Sequence, residues 1–266
     1  MSSQDNFKQF AQHFDHIYVL TIAAAKERHE NIREEFGDWN VEIIYGVDKK
    51  DIDIEELERQ GVISAEKNAA IDPASNYTKG LICASWGHRM IYEHMIRNNY
   101  QNVLVLEDDA LQVRSFPFDL AEVIKAIPKD ADLIYWGWLG GVHQNMKQPF
   151  WLRKLLHVIK KVSGRLKQFD NPTYEGMVAE PYNRYFDKAG KHGGAHAYSL
   201  NQKTARMFID LQTPIIFHPD RIFSYVLKKR MANVYIAVPP VITEATYSGN
   251  IKKLPTMLDY HQYPVQ

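Results

Sequence analysis

The stretch VLVLEDD, residues 103–109, places four aliphatic side chains immediately before three carboxylates. An uninterrupted aliphatic run followed by polar residues is typical of a strand that helices cover on both faces. In open α/β sheets, ligands bind outside the carboxyl ends of the strands. The stretch therefore predicts a central strand that delivers Glu107, Asp108 and Asp109 to a ligand-binding edge.

The rest of the chain alternates short apolar runs with segments of helical periodicity. Strands are predicted at 17–22, 41–47, 132–137, 195–200 and 234–238, and helices at 26–36, 54–60, 81–98, 117–127, 201–211 and 220–229. This alternation predicts an α/β sandwich with a mainly parallel central sheet flanked by helices. Because no linker divides the sequence, residues 1–266 are expected to form a single domain, with an inserted region at about 140–193 where the alternation stops.

Composition narrows the class of protein. Lys plus Arg and Asp plus Glu number 32 each, so a nucleic-acid partner is not expected. Cys83 is the only cysteine, which excludes an intrachain disulfide and a cysteine-based zinc site. The N-terminus lacks the pattern of a secretory signal, and no apolar run reaches the length of about 18 residues that crosses a bilayer. A cytoplasmic location is expected.

Three adjacent carboxylates repel one another, so a compensating cation is expected beside them. Oxygen ligands at the mouth of a sheet suit Mg²⁺ or Mn²⁺, which keep positions open for water and phosphate oxygens. In an extended chain, residues i and i+2 point the same way, so Glu107 and Asp109 share one face and Asp108 faces the other. The alternative is that Asp108 and Asp109 cap the following turn or helix.

The sequence VLVLEDDALQV, with TKGLICASWGHRMIYEHMI before it and DLIYWG after it, resembles the family 25 glycosyltransferases. That family includes bacterial lipooligosaccharide galactosyltransferases and collagen galactosyltransferases. The resemblance extends to IYVLTIAAAKERHENIREEF, to YGVD, to AHAYSLNQKTARMFI, to HPDRIF and to YSGNI. The acidic motif is the most specific of these segments, and the others gain weight from their order and spacing.

The resemblance implies a GT-A-like, Rossmann-type fold and a divalent metal ion, Mn²⁺ or Mg²⁺. It implies inverting transfer of a hexose, with galactose favoured, from a nucleotide-diphosphate sugar such as a UDP-hexose. The acceptor would be a glycan or glycolipid of lipopolysaccharide or lipooligosaccharide biosynthesis. A bound cation stabilises the departing diphosphate. Asp109 is the expected metal ligand, Glu107 shares the metal or contacts the ribose, and Asp108 faces the sugar.

Inversion in one step needs a base within reach of the acceptor hydroxyl. The candidate is Asp220 of HPDRIF, with helix capping as its alternative role and Glu244 as the reserve base. Two histidines, His196 and His218, are further metal-ligand candidates, although a structural role is the simpler interpretation of both.

Four residues are candidates for binding the donor. Arg28 and Lys79 would neutralise the diphosphate, because paired cationic donors suit phosphates, although an Arg in a charged helix is usually solvated. Asp48, at the end of YGVD, would accept hydrogen bonds from the base or the ribose, unless it serves the turn GVDKKD. His88 is either a donor-site residue or a satisfied histidine on a helix face.

The chain departs from the family pattern between Cys83 and His88. Gly87 stands where a serine is usual, and Cys83 stands where a glycine is usual. This departure motivates a second hypothesis, a non-catalytic nucleotide-sugar or carbohydrate-binding protein with the same fold. A third class, the phosphorylation receivers, places the acidic strand at the start of the domain and needs an acceptor Asp after a later strand, but DLIYWG ends without a carboxylate.

Residues 151–169, WLRKLLHVIKKVSGRLKQF, predict a basic amphipathic helix. One stripe contains Trp151, Leu155, Ile159, Val162 and Leu166, and most of the basic residues lie outside it. Such a helix can lie in an anionic membrane interface, which would suit a glycolipid acceptor and peripheral contact with the inner membrane face. The alternative is an ordinary surface helix that docks its apolar stripe on the sheet.

Overall fold

A computed structural model of the chain describes residues 3–71, 77–139 and 178–245, together with residues 151, 152, 155, 158 and 159. Every strand and helix predicted within the three long ranges is present, with its ends shifted by a few residues. The helices are α1 (Ser3–Ala11), α2 (Lys26–Phe36), α3 (Ile54–Arg59), α4 (Ala65–Ile71), α5 (Lys79–Arg97), α6 (Leu120–Lys125), α7 (Gln202–Leu211) and α8 (Arg221–Lys228). The strands are β1 (His16–Thr21), β2 (Glu42–Tyr45), β3 (Asn102–Glu107), β4 (Ala110–Gln112), β5 (Leu133–Leu139), β6 (Glu180–Pro181), β7 (Phe186–Lys188), β8 (Gly193–Asn201), β9 (Val234–Ala237) and β10 (Ile242–Glu244).

Eight strands form the central sheet in the order β2–β1–β3–β8–β5–β9–β7–β6. β1 pairs in parallel with β2 and with β3, and β5 pairs in parallel with β9. The other neighbours in the sheet are antiparallel. β4 and β10 form a separate antiparallel pair. The protein is therefore a mixed α/β structure with one large sheet.

The mixed pairing corrects the prediction of a mainly parallel sheet. β8 runs against both of its neighbours, β3 and β5, at the centre of the sheet. Leu139, the last residue of β5, pairs with Gly193, the first residue of β8. The chain thus enters β8 at the edge where β5 ends, so β8 must run back along β5. An apolar run indicates burial but carries no information about this direction.

The central strand β3 contributes side chains to both faces of the sheet, as its sequence predicts. Val103 and Val105 pack in one hydrophobic core with α5, α7 and α8, whereas Leu104 and Leu106 pack in a second core with α1, α2 and α6. All four side chains are fully buried, and each such burial contributes about 1.5–3 kcal/mol. As a result, α5 and α2 approach the carboxyl end of β3 from opposite faces.

The N-terminal segment, for which the sequence predicts no element, forms α1. Its Phe7 and Phe10 are buried, and the ring of Phe10 packs edge-on against Trp136 with centroids 4.8 Å apart. Most of the predicted inserted region at 140–193 lies outside the described residues, although its last part supplies β6 and β7. In the described part of the chain, no helix has both the length and the apolar composition to cross a membrane.

Candidate active site

The predicted carboxylates lie where the parallel strands β1, β2 and β3 end, at one edge of the sheet. Glu107 is the last residue of β3, and Asp108 and Asp109 form the turn that leads into β4. Two surface cavities, with volumes of about 410 and 270 Å³, open near His16 and Asn102 at the start of the same strands. Both cavities lie at the opposite edge from the carboxylates. In open α/β sheets ligands bind beyond the carboxyl ends of the strands, and that rule favours the carboxylate edge as the ligand site.

Glu107 is held from the α5 face by a chain of hydrogen bonds. His88 Nε2 lies 3.2 Å from Glu107 Oε1, and His88 Nδ1 lies 2.8 Å from the Tyr198 hydroxyl, which is in turn 2.8 Å from the Tyr92 hydroxyl. Burial acts to raise the pKa of Glu107, but the contact with His88 and the positive groups nearby lower it overall. His88 is itself buried. Its contacts favour the helix-face alternative, in which it orients Glu107 and does not touch the nucleotide.

Asp108 faces the other side of the sheet, toward α2, as the alternation predicts. Its carboxylate accepts hydrogen bonds from the buried Arg28 guanidinium and, at 2.6 Å, from the Thr21 hydroxyl. Asn31 donates to the Asp108 carbonyl at 3.0 Å. Burial raises the pKa of Asp108, and Arg28 and Thr21 act against that rise. These contacts favour a structural role for the pair, in place of the sugar-facing role predicted for Asp108 and the diphosphate contact predicted for Arg28.

Arg28→Ala is expected to destabilise the protein by about 3–5 kcal/mol, because it leaves the buried Asp108 carboxylate uncompensated. The double variant Arg28→Met with Asp108→Leu is expected to recover most of that loss, since an apolar pair replaces a buried ion pair. Urea unfolding of the wild type and both variants measures the difference. A loss below about 1 kcal/mol in the single variant is the value typical of exposed ion pairs and would contradict burial of this one.

Asp109 lies in the turn between the two faces. Its carboxylate is buried, with Arg28 Nη1 3.9 Å from Asp109 Oδ2. Its carbonyl accepts a hydrogen bond of 2.9 Å from the Ala245 N–H, which brings the buried Glu244 of β10 beside the turn. Across the described ranges, no three His, Cys, Asp or Glu side chains are placed to hold a metal ion by themselves. Mg²⁺ and similar ions commonly take one or two carboxylates and complete their shell with phosphate and water, so this edge fits a metal bound together with a diphosphate.

His196 reaches the same edge from β8. The register that pairs Leu106 with Ala197 places His196 opposite Glu107, one step further along the two strands. The residue is only 3% exposed, and neither ring nitrogen has a hydrogen-bond partner among the described residues. Burial lowers the pKa of His196, against the opposing effect of the carboxylates around it. A neutral imidazole without a partner therefore stands beside the acidic turn.

Asp220 precedes α8 and is joined to His218 and to the start of β8. His218 Nδ1 lies 3.0 Å from Asp220 Oδ1, and the Gly194 N–H donates to Asp220 Oδ2 at 3.1 Å. Burial acts to raise the pKa of Asp220, but His218 and the Gly194 N–H lower it overall, so the carboxylate is ionised at neutral pH. Its side chain makes no capping hydrogen bond to α8. The capping alternative is therefore not supported.

Asp48 and Lys79 lie further along the same edge. Asp48 accepts a hydrogen bond from the Lys50 N–H at 3.2 Å and lies 3.5 Å from Lys50 Nζ, which is the turn role that the sequence left open. Lys79 Nζ donates to the Ile52 carbonyl at 2.7 Å. Since His88 follows nine residues later in α5, Lys79 is about 13 Å from it along the helix axis. The structure does not bring Lys79 into contact with the carboxylates of the described turn.

The departures from the family pattern are differences in packing. A Cβ added at Gly87 would lie 2.7 Å from Leu20 Cδ1, so the leucine fills the space that a serine would need. Cys83 is buried one turn earlier in α5, and burial raises the pKa of its thiol to about 11. Neither residue contacts the acidic turn. These substitutions give no structural support to the hypothesis of a non-catalytic protein.

Comparison with known families matches residues 14–223 to the family model of glycosyltransferase family 25, described as a lipopolysaccharide biosynthesis protein. The matched segment spans most of the 266 residues and runs from before β1 into α8. The chain belongs to glycosyltransferase family 25. It is a glycosyltransferase, and its family implies a nucleotide-sugar donor and a glycan acceptor. No curated protein matches the sequence.

Sequence reasoning missed three polar residues of this glycosyltransferase that fix the carboxylates. Thr21 and Asn31 hold Asp108, and Tyr198 holds His88. Thr21 ends an apolar strand and Asn31 stands one residue before Ile32 on the buried face of α2. A polar residue at a buried position needs a partner, and that signal was available for both. The sequence offered no signal for Tyr198, since tyrosine is common in strands.

Proposed function

We propose that this glycosyltransferase moves a hexose, with galactose favoured, from a UDP-hexose to a glycan or glycolipid acceptor in lipopolysaccharide or lipooligosaccharide biosynthesis. The transfer inverts the anomeric carbon and depends on Mn²⁺ or Mg²⁺, and residues 1–266 form one domain of the GT-A type. The observation that carries the proposal is the meeting of Glu107, Asp109 and Asp220 at one edge of the sheet, where β3, β8 and α8 come together.

Asp109 and Glu107 are the residues that would hold the metal ion. When bound, the ion stabilises the negative charge that develops on the departing diphosphate. Buried carboxylates next to an unpartnered imidazole cost free energy in the absence of a compensating charge, which supports a cation at this point. His88 fixes the orientation of Glu107, and the Arg28–Asp108 pair fixes the turn that carries Asp109.

Asp220 would act as the base. The acceptor oxygen bonds to the anomeric carbon while its proton passes to Asp220. The bond from that carbon to the diphosphate oxygen breaks and leaves its electron pair on the diphosphate. Asp220 is ionised, is held by His218 and the Gly194 N–H, and keeps 24% of its side chain exposed. A base that faces an incoming hydroxyl needs each of these properties.

Asp48 and Lys79 are proposed to contact the nucleotide. Asp48 lies past β2 at the ligand edge with a largely buried side chain, and it would accept hydrogen bonds from the ribose or the base. Lys79 would reach the diphosphate only by leaving the Ile52 carbonyl. The contact of Lys79 therefore requires a local rearrangement when the donor binds.

The proposed function is tested by incubating the purified protein with UDP-hexoses and a lipopolysaccharide core acceptor, in the presence of Mn²⁺ and after chelation. We expect release of UDP and a product of inverted anomeric configuration by NMR, only when the metal is present. Nucleotide binding that is insensitive to metal, without any released UDP, would instead support the non-catalytic binding protein.

Membrane contact through residues 151–169 is part of the proposal. Five large apolar residues of this segment are described and helical, and four of them, Trp151, Leu155, Val158 and Ile159, fall on one face and are 48–66% exposed, whereas Leu152 is half-buried. A stripe docked on the sheet would be buried, so this exposure speaks against the surface-helix alternative. The six Arg and Lys of the segment, which lie outside the described residues, give it the charge that anionic lipids attract. We place the contact at the cytoplasmic face of the inner membrane.

The double variant Trp151→Asp with Ile159→Asp is expected to weaken binding to phosphatidylglycerol vesicles at least about tenfold, because each apolar side chain contributes about 1.5–3 kcal/mol when buried in lipid. Vesicle flotation measures the bound fraction. Met231→Asp, which alters an exposed apolar residue beyond α8, serves as the control and should bind normally. Equal flotation of the double variant and the control would contradict the membrane contact.

A further inference from the structure

Three glycines, Gly137, Gly193 and Gly194, lie where β5 and β8 meet at the ligand edge, beside the proposed base Asp220. A glycine in a strand marks either a backbone that needs special freedom or a place where another group approaches closely. For two of the three, the fold itself supplies the reason. A Cβ at Gly137 would overlap the ring of His196, and Gly194 has a φ of +89°, which other residues rarely adopt.

Gly193 has neither reason to be a glycine. Its φ lies outside the left-handed range, and a Cβ there would lie 3.4 Å from Asp220 Oδ2 and 4.0 Å from Leu139 Cβ, both ordinary van der Waals distances. Alanine also loses less conformational entropy than glycine when a strand forms. The fold of the described residues would therefore accept a side chain at this position, so the glycine calls for a functional explanation.

The space left by the missing side chain lies against one oxygen of the proposed base. Asp220 Oδ1 is 3.0 Å from His218 Nδ1, and Asp220 Oδ2 accepts the Gly194 N–H at 3.1 Å. An ionised carboxylate oxygen accepts more than one hydrogen bond, so Oδ2 can also receive a hydroxyl. Gly193 is partly exposed, and the position of its absent Cβ marks a space beside Oδ2 that no described residue fills.

Leu139 forms the other side of this space, because it pairs with Gly193 across β5 and β8. The gap therefore has a carboxylate on one side and an aliphatic residue on the other. Ligand sites commonly combine apolar walls with a few polar groups that fix orientation. A sugar ring matches this arrangement, since it carries hydroxyls at its rim and C–H groups on its faces.

We propose that Gly193 is a specificity-determining position that admits the acceptor sugar to the base. Its missing side chain leaves the gap between Asp220 and Leu139 through which the acceptor hydroxyl reaches Asp220 Oδ2. This inference rests on the base assigned in the proposed function and adds to it the route of the acceptor. A side chain at residue 193 would exclude a sugar ring more strongly than a water molecule, because the ring needs more room.

Kinetics of Gly193→Ala and Gly193→Val test the proposal, with Mn²⁺, the UDP-hexose that the wild type uses and a lipopolysaccharide core oligosaccharide as acceptor. We expect kcat/KM for the oligosaccharide to fall about tenfold in the Ala variant and about 100-fold in the Val variant. Hydrolysis of the UDP-hexose by water, measured as UDP released without acceptor, should fall less. Calorimetric titration of UDP with Mn²⁺ should give the wild-type affinity.

Gly194→Ala is the control for a glycine that the fold itself requires. Its melting temperature should fall, because its φ is +89° and a Cβ would lie 2.9 Å from His196 Nδ1. The melting temperature of Gly193→Ala should equal or exceed that of the wild type. A lower value for Gly193→Ala would assign the glycine a structural role and overturn the proposal.

The kinetic outcomes separate this inference from the proposed function. Transfer by Gly193→Val at the wild-type kcat/KM would overturn the acceptor route and leave the proposed function standing. Equal losses of transfer, hydrolysis and UDP affinity would also overturn it, because they would place Gly193 in the donor site. Failure of the wild type to transfer from any UDP-hexose would overturn the proposed function and this inference together.

Discussion

Asp109→Asn is expected to lower the rate of transfer by about 10³-fold or more and to abolish metal-dependent binding of UDP. The variant keeps the shape of the side chain but removes the charge that holds the ion, and each tenfold loss corresponds to about 1.4 kcal/mol of transition-state stabilisation. The fold should persist, because Arg28 keeps its ion pair with Asp108. Steady-state kinetics and calorimetric titration of UDP with and without Mn²⁺ measure the two effects.

The matched control for this prediction is Asp38→Asn, an exposed carboxylate in the turn after α2 at the opposite edge of the sheet. This variant should transfer the sugar and bind UDP with Mn²⁺ as the wild type does. Thermal unfolding of both variants separates loss of function from loss of structure. Undiminished transfer by the Asp109 variant would show that the acidic turn does not hold a catalytic ion.

Asp220→Asn is expected to lower kcat by about 10²–10⁴-fold, the usual contribution of a general base. The amide oxygen still accepts the hydrogen bond from the Gly194 N–H, so the local structure should remain. It cannot take the proton of the acceptor hydroxyl. Binding of UDP with Mn²⁺ should be unchanged, because Asp220 is not expected to touch the nucleotide, and this separates the base from the metal ligands.

Asp210→Asn, which alters an exposed carboxylate near the end of α7, is the control for the base. A kcat for Asp220→Asn close to that of the control would exclude Asp220. In that case Glu244 is the remaining carboxylate candidate, since it is buried beside the acidic turn. Glu244→Gln should then show the loss of kcat that Asp220→Asn did not.

The sequence predicted the strand and the faces of Glu107 and Asp108, whereas Asp109, predicted to share the face of Glu107, lies in the turn after the strand, 3.9 Å from Arg28. The alternation in β3 placed Glu107 and Asp108 on opposite faces, and the structure confirms it, with α5 holding the first and α2 the second. Alternation is a local property of an extended chain, so it can be derived from residue positions alone. The partners of those carboxylates could not be derived, because His88, Arg28 and Thr21 reach them only after the helices pack.

For β8, too, the sequence predicted the strand itself but not how it lies in the sheet. Its apolar pattern in AHAYSL predicted a buried strand, and the strand is present. Its antiparallel course depends on where the preceding connection returns to the sheet, and about fifty residues separate β5 from β8. This course puts the start of β8, with Gly194 and His196, at the acidic edge. With the predicted parallel course, the two residues would lie at the far edge.

The sequence by itself determined that a fully buried strand ends in three carboxylates and that helices and strands alternate around it. Both features can be predicted from the pattern of apolar and polar residues that are close together in the chain. Only the tertiary structure decided which charged side chains pair with one another inside the fold and which lie at the proposed ligand site. Arg28 neutralises Asp108, whereas His196 joins Glu107 and Asp109 from a strand some ninety residues away. Electrostatic interactions depend on distance in space, and distances between remote segments exist only once the chain has folded.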